Sequence, residues 1–234
     1  MSKANIKVLT KSGSYNSSRF AASDFFLYSL LSLISIIYRT AINYCLPKGM
    51  IILIHNETID NILTRRTIRD YTPEQITDEQ LETLLECAMW APSGRNGQPC
   101  HVRVVQSKEM LDEMNVDFKN LVGWDTPAYT NWDKNPFYQN APTVFFIYAE
   151  GNSHMDAGIM VENIAIAAKG MGLGSVIIAS IGGLLSAPEG LKWKQKLDIS
   201  EDYKFLIACA VGNGCEDPAP KPRKKEQFKV IKAD

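Results

Sequence analysis

Apolar positions alternate between two periods along most of the chain. Ile59, Ile62 and Leu63 share one face of a short helix over Glu57–Thr64, and Tyr71-Thr72-Pro73 breaks it. Thr77-Asp78-Glu79-Gln80 reads as a capping box. It opens a helix in which Leu81, Leu84, Leu85, Ala88 and Met89 follow helical spacing, and Pro92-Ser93-Gly94 closes it. Residues 101–106 read as a strand with Val102 and Val104 opposed to Arg103. Lys108–Phe118 reads as a helix, and 120–140 as a loop rich in aromatics (Trp124, Tyr129, Trp132, Phe137 and Tyr138). Thr143–Tyr148 is a strongly apolar strand, and Met155–Lys169 a long helix of apolar and small residues. Gly170-Met171-Gly172-Leu173-Gly174 ends that helix with glycines suited to left-handed backbone. Ser175–Ser180 and Phe205–Val211 are two further strands. Strands alternating with helices give an α/β or α+β class.

The first 49 residues follow a different pattern. They hold six of the 25 basic residues and only one of the 26 acidic ones, Asp24. They also carry a 14-residue apolar run, Phe25–Tyr38, flanked by Arg19 and Arg39. That run is short for a membrane span, which needs about 20 residues, and no small-x-small cleavage site follows it. Three readings stand: a weak membrane anchor, an extra helix docked on the core, or upstream sequence with Met50 as the true start. The chain is therefore divided into an atypical extension, 1–49, and a core domain, 50–234. The product is expected in the cytoplasm, or tethered to a membrane through residues 25–38.

Composition narrows the function classes. A net charge of −1 gives no argument for nucleic acid. Five cysteines without a CxxC pair fit a reducing compartment better than a disulfide framework. His55, His101 and His154 have no metal-ligand spacing, so no metal is expected. GxSxG and GxxxxGK[ST] are absent. Cys100 and His101, neighbours on a strand, point to opposite sides and make no nucleophile pair. Asp156 and Glu162 share one helix but not one face.

Four segments carry candidate chemistry. Arg65-Arg66-Thr67-Ile68-Arg69 offers guanidinium groups for bidentate phosphate binding, or it is a solvated basic helix end. Ala91-Pro92-Ser93-Gly94-Arg95-Asn96-Gly97-Gln98-Pro99 offers neutral donors and acceptors suited to a heterocycle, or it is a polar turn. Ser175–Gly183 follows a glycine cluster that lets backbone approach a planar ligand. The strand–glycine–helix order of a Rossmann site fails there. Pro218-Ala219-Pro220-Lys221-Pro222-Arg223-Lys224-Lys225 is a frayed basic tail, or it returns Lys221 and Arg223 to an anion held by the first arginines.

Taken in this order and spacing, the segments resemble the nitroreductase family of FMN enzymes. Met155-Asp156-Ala157-Gly158 with Glu162-Asn163, Gly-Leu-Gly-Ser at 172–175 and Val211-Gly212 complete the match, which runs from about Asn56 to the C-terminus. The resemblance implies an α+β fold with a central, mainly antiparallel sheet flanked by helices, in an intertwined homodimer with FMN at the interface. Arg65 and Thr67 would bind the phosphate and ribityl end, with Lys221 and Arg223 closing on the same phosphate. Arg66 joins this set without a firm role, facing solvent or the dimer partner. Arg69 would lie near the pyrimidine edge, stabilising the anionic reduced flavin electrostatically. Pro92, Ser93 and Asn96 would reach the flavin from the partner subunit. Ser180, Ile181 and Gly182 would lie along the ring, a backbone amide near N5.

The implied reaction is ping-pong: hydride passes from NADH or NADPH to flavin N5, then to a nitroaromatic, quinone or similar acceptor. No catalytic acid or nucleophile is required. The alternative is a non-enzymatic flavin-binding or redox-sensing protein on the same fold. Cys100 stands where the family often has Trp. The 120–140 segment would be the substrate lid, its Trp124, Tyr129 and Trp132 stacking on an acceptor or packing the dimer surface. It carries no pattern that marks the deiodinase or flavin-cleaving branches.

Overall fold

The most apolar stretch of the core sequence becomes its central strand. β2 (Thr143–Glu150) is buried at every position but the last, because both of its edges and both of its faces are covered. β1 (Cys100–Val105) pairs with it antiparallel on one side and β4 (Tyr203–Gly212) on the other. β3 (Gly174–Ile178) pairs antiparallel with the far edge of β4, giving the order β1-β2-β4-β3. A strand covered on both faces shows a continuous apolar run instead of alternation, as 143–148 does. These elements lie in the computed structural model, which describes residues 53–124 and 136–232.

Helices pack both faces of the sheet. On one face Phe145, Ile147 and Ala149 meet Leu84 and Ala88 of α2 (Asp78–Met89) and Val161, Ile164 and Ala168 of α4 (His154–Gly170). On the other, Val144, Phe146 and Tyr148 meet Leu111, Met114 and Phe118 of α3 (Lys108–Val122). The short helices α5 (Gly182–Leu185) and α6 (Leu191–Lys196) add Leu184, Leu185 and Trp193 to that second cluster. α1 (Glu57–Thr64) buries no residue and leads into the arginine segment. The result is the α+β fold with an antiparallel sheet that the sequence resemblance implies. The capping box forms in full: Thr77 Oγ1 accepts from Gln80 N–H at 3.2 Å, and Gln80 Oε1 accepts from Thr77 N–H at 2.9 Å.

Several expectations shift. α3 runs past Phe118 to Val122 and stops at Gly123, where φ is 98°. Phe137 and Tyr138, read as part of a surface lid, are buried in the core, their rings edge-to-face at 5.4 Å. An isolated aromatic in a polar stretch gives no sign of this, because its partner Phe118 lies outside that stretch. Tyr129 and Trp132 fall outside the described residues, as does the 1–49 extension. Trp124 is 56% exposed. Met89, assigned to the buried face of its helix, is exposed. Of the 170–174 glycines only Gly172 is left-handed, with φ 76°; Gly170 ends α4 and Gly174 begins β3. The segment 182–196 gave no periodic signal because its helices are four and six residues long. It is anchored through Trp193, fully buried, whose Nε1 donates to Asp117 at 2.8 Å.

Among the described residues no helix is long and apolar enough to cross a membrane, and no group of side chains could hold a metal ion. Thr77→Ala is expected to lower stability by about 1 kcal/mol through loss of the N-cap, measurable as a reduced urea midpoint with an unchanged slope.

Candidate functional site

Beyond α1 the chain becomes extended at Arg65, where φ is −56° and ψ 135°. It then threads between β3 and the residues that follow β4. Thr67 forms a parallel bridge with Ser175, and Tyr71 an antiparallel bridge with Gly214. Ile68 N–H donates to Ser175 O at 3.0 Å, Thr72 N–H to Asn213 O at 2.9 Å and Cys215 N–H to Asp70 O at 2.9 Å. Arg69 N–H donates to the Glu216 carboxylate. The Tyr71 hydroxyl donates to Ile68 O at 2.7 Å. Ile68 fills the space between two glycines. A Cβ at Gly174 would lie 3.0 Å from three of its atoms, and one at Gly214 2.9 Å from its Cγ2. In extended backbone alternate residues face opposite sides. Seating Ile68 inward therefore turns its neighbours Thr67 and Arg69 the other way.

Those neighbours line a recess of about 160 Å³. Arg65, Arg66, Thr67 and Arg69 meet Lys221 and Arg223 there, with Pro218 and Ala219 completing the wall. Five cations and a hydroxyl line it, and no carboxylate does. Such a donor set fits a phosphate-sized dianion. The C-terminal segment thus returns to the arginines instead of fraying. Glu162 of α4 does not line the recess but lies 3.7 Å from Arg65 Nε. Arg66 is partly committed elsewhere: its Nη1 donates to Leu63 O at 2.9 Å and Arg65 O at 2.7 Å, capping α1. The two readings of the basic segment, helix end and anion site, therefore both hold, for different arginines. Arg69, expected apart at a ring edge, lines the same recess as the others.

The remaining expected residues stand elsewhere in the protomer. Pro92 and Ser93 line a second recess with Gln98, Cys100 and Asp156. Ser93 Oγ accepts from Gln98 N–H at 2.9 Å, which leaves its own O–H free to donate. Asn96 is exposed with φ 56°. Ser180, Ile181 and Gly182 follow the end of β3 opposite the arginine segment. Ile181, expected along the ring, is buried as a whole residue, and its carbonyl accepts from Leu184 and Leu185 N–H at 3.0 Å. Gly182 N–H already donates to Ala179 O at 3.0 Å. A Cβ on Gly182 would lie 3.2 Å from the Phe205 ring.

Cys100 and Cys209 are not activated thiols. Burial, together with the Asp156 charge, raises the Cys100 pKa. Burial pushes the Cys209 thiol up to about 12. His101 turns away from Cys100 and pairs with the Tyr203 hydroxyl at 3.1 Å.

Sequence reasoning missed what Asp156, Glu162 and Glu216 do. The signal was present for two of them, since Asp156 and Glu162 fall in matched motifs; what was missing was the partner each would face.

Comparisons with known proteins point to one family. The model of the nitroreductase family matches residues 62–213. A protein of Archaeoglobus fulgidus provisionally named NADH dehydrogenase/NAD(P)H nitroreductase is 35% identical over 165 residues, covering 67% of this chain and 84% of that protein. The NADPH-flavin oxidoreductase of Vibrio harveyi is 30% identical over 173 residues, covering 72% and 70%. A nitroreductase crystal structure with bound FMN from Desulfitobacterium hafniense superposes with a TM-score of 0.71 at 26% identity. It covers 76% of this chain and all of that one.

The Ile68 seat yields a contrast between two glycines. Gly214→Val is expected to displace Ile68, lower stability by about 1–3 kcal/mol as overpacking does, and weaken anion binding at the recess. Gly172→Asn meets no atom within 4 Å and keeps a residue type that tolerates left-handed backbone, so its loss should be smaller. Urea unfolding of both variants, with and without inorganic phosphate, makes the comparison.

Proposed function

The chain belongs to the nitroreductase family, and from that membership we infer that it is an FMN-dependent NAD(P)H oxidoreductase. Bound FMN would supply the redox chemistry, accepting hydride from NADH or NADPH at N5 and passing it to a nitroaromatic, quinone or similar acceptor in a ping-pong cycle. The observation that carries the reading is the recess itself: five cations and the Thr67 hydroxyl around a space of about 160 Å³. It suits the phosphate terminus of that cofactor.

The chain's residues have distinct tasks under this reading. Arg65, Thr67, Lys221 and Arg223 hold the phosphate, with charge-assisted hydrogen bonds about twice as strong as neutral ones. Glu162 keeps the Arg65 guanidinium turned toward the recess. Arg69 lines the same recess, and its positive charge there also favours added electron density on the bound cofactor. Ser180 and Gly182, both partly exposed, flank the buried Ile181 and offer surface alongside the ring. Pro92, Ser93 and Asn96 serve the site of a second copy in a homodimer. Exposed apolar residues support that assembly: Trp90 is 77% exposed, Met155 81%, and Phe228, Val230 and Ile231 of the tail all exceed 80%.

Purified protein is expected to be yellow, to elute as a dimer, and to oxidise NADH or NADPH when given a nitroaromatic or quinone. Colourless protein that takes up no added FMN overturns the reading. Bound flavin that neither nucleotide reduces restricts the protein to flavin binding. Arg65→Ala and Arg223→Ala are each expected to weaken FMN binding by about 1.5–3 kcal/mol, the range for hydrogen bonds to charged groups. Titration of flavin fluorescence measures this, and unchanged affinity in both variants removes the phosphate assignment.

A further inference from the structure

The loop after α2 has a shape that its sequence alone would not hold. Arg95, Asn96 and Gln98 have φ of 55°, 56° and 46°. Left-handed backbone is uncommon for non-glycine residues and persists where surrounding bonds fix it. Three bonds lie within the loop. Asn96 N–H donates to Ser93 O at 3.0 Å, Gly97 N–H to Gly94 O at 2.9 Å, and Gln98 N–H to Ser93 Oγ at 2.9 Å. They set its internal shape but cannot fix where the loop stands on the fold.

A fourth bond does that. Asp156, in the first turn of the 17-residue helix α4, accepts from Gly94 N–H at 3.0 Å, joining residues 62 apart in sequence. Gly94 opens the one-turn 3-10 helix Gly94–Asn96, where an N–H has no partner within the turn. The carboxylate supplies that partner from a helix start, the place where the helix dipole favours a negative group. Asp156 also lines the same recess as Pro92 and Ser93.

We propose that Asp156 is a positioning residue: by accepting the Gly94 N–H, it holds Ser93 and Asn96 in the pose from which they reach the flavin of a second copy. The proposal rests on the FMN reading above. Asp156 itself touches no flavin in this scheme.

The test is a double-mutant cycle on the full chain, read by FMN dissociation constant and by the visible bands of bound flavin. Asp156→Ala removes the acceptor. Gly94→Pro removes the donor; Ser93 before it is already extended, with φ −136° and ψ 158°, as a residue before proline must be, while the proline Cδ stands where the N–H met Asp156 and turns that carboxylate away. A Cβ at position 94 meets nothing within 4 Å. Each single variant is expected to weaken FMN binding about tenfold and to shift the flavin bands, the scale of one charge-assisted bond. The double variant should be no weaker than the worse single. Asp156→Asn keeps an acceptor oxygen and should stay within about threefold of the parent, since a neutral acceptor is weaker but present.

Losses that add in the double variant make Asp156 a general stabiliser of α4 and overturn the proposal. So does full affinity in Asp156→Ala. If Asp156→Ala fails to fold, Gly94→Pro and Asp156→Asn decide together: full affinity in Gly94→Pro overturns the proposal, and a tenfold loss there with native circular dichroism, beside near-parental affinity in Asp156→Asn, supports it. Parent protein that binds no FMN is a separate result; it removes the FMN reading and this proposal with it.

Discussion

Ile68 sits where Gly174 and Gly214 leave room for it, and the cationic recess takes its geometry from that seat. Arginine side chains are long and mutually repulsive, so gathering them at one point needs a rigid backbone beneath them. Here the backbone is pinned on one side by Ser175 and on the other by Asn213 and Gly214. The side chain that makes the fit is apolar, so the binding surface is specified from behind. Both glycines are needed for contact distance; neither has the positive φ that usually explains a glycine.

Negative charge is kept off the face that would meet an anion. Glu162 approaches Arg65 from α4, and the Glu216 carboxylate takes the Arg69 backbone N–H. Glu216 and Asp217 line a neighbouring recess that shares Arg65 and Arg66 with the first and is otherwise walled by residues such as Ile68 and Gly174. The carboxylates thus offset part of the repulsion among the cations without occupying the space between them. The arrangement separates what holds the arginines from what the arginines can hold.

Much of this was legible in the sequence. β1 appeared through alternation and the longer helices through their spacing, because burial on a fixed face imposes a fixed period; β2, buried on both faces, appeared as a continuous apolar run. The cationic residues of the recess were legible only through the order of the motifs, since each basic segment alone also read as solvated surface. Three kinds of feature were not. Phe137 and Tyr138 are core residues in a stretch without periodicity. α5 and α6 are too short to show a repeat. The bonds from Asp156 to Gly94 and from Glu162 to Arg65 join positions far apart in the chain. Spacing within one element could show that the two acids do not share a face, but could not say that each faces a different part of the site.

That divergence makes α4 sensitive to length. Asp156 and Glu162 lie about 9 Å apart along the axis, at roughly 1.5 Å per residue, and point in different directions about it. One inserted or deleted residue between them would rotate one against the other by about 100°. Either the arginine or the 93–98 loop would lose its carboxylate, whatever the new residue was. Residues 157–161 therefore serve as a ruler: their number is constrained by two contacts that none of them makes, and their identities only by packing against the sheet. Length variation in a protein built this way would be accepted in the connections around α4, and refused within it.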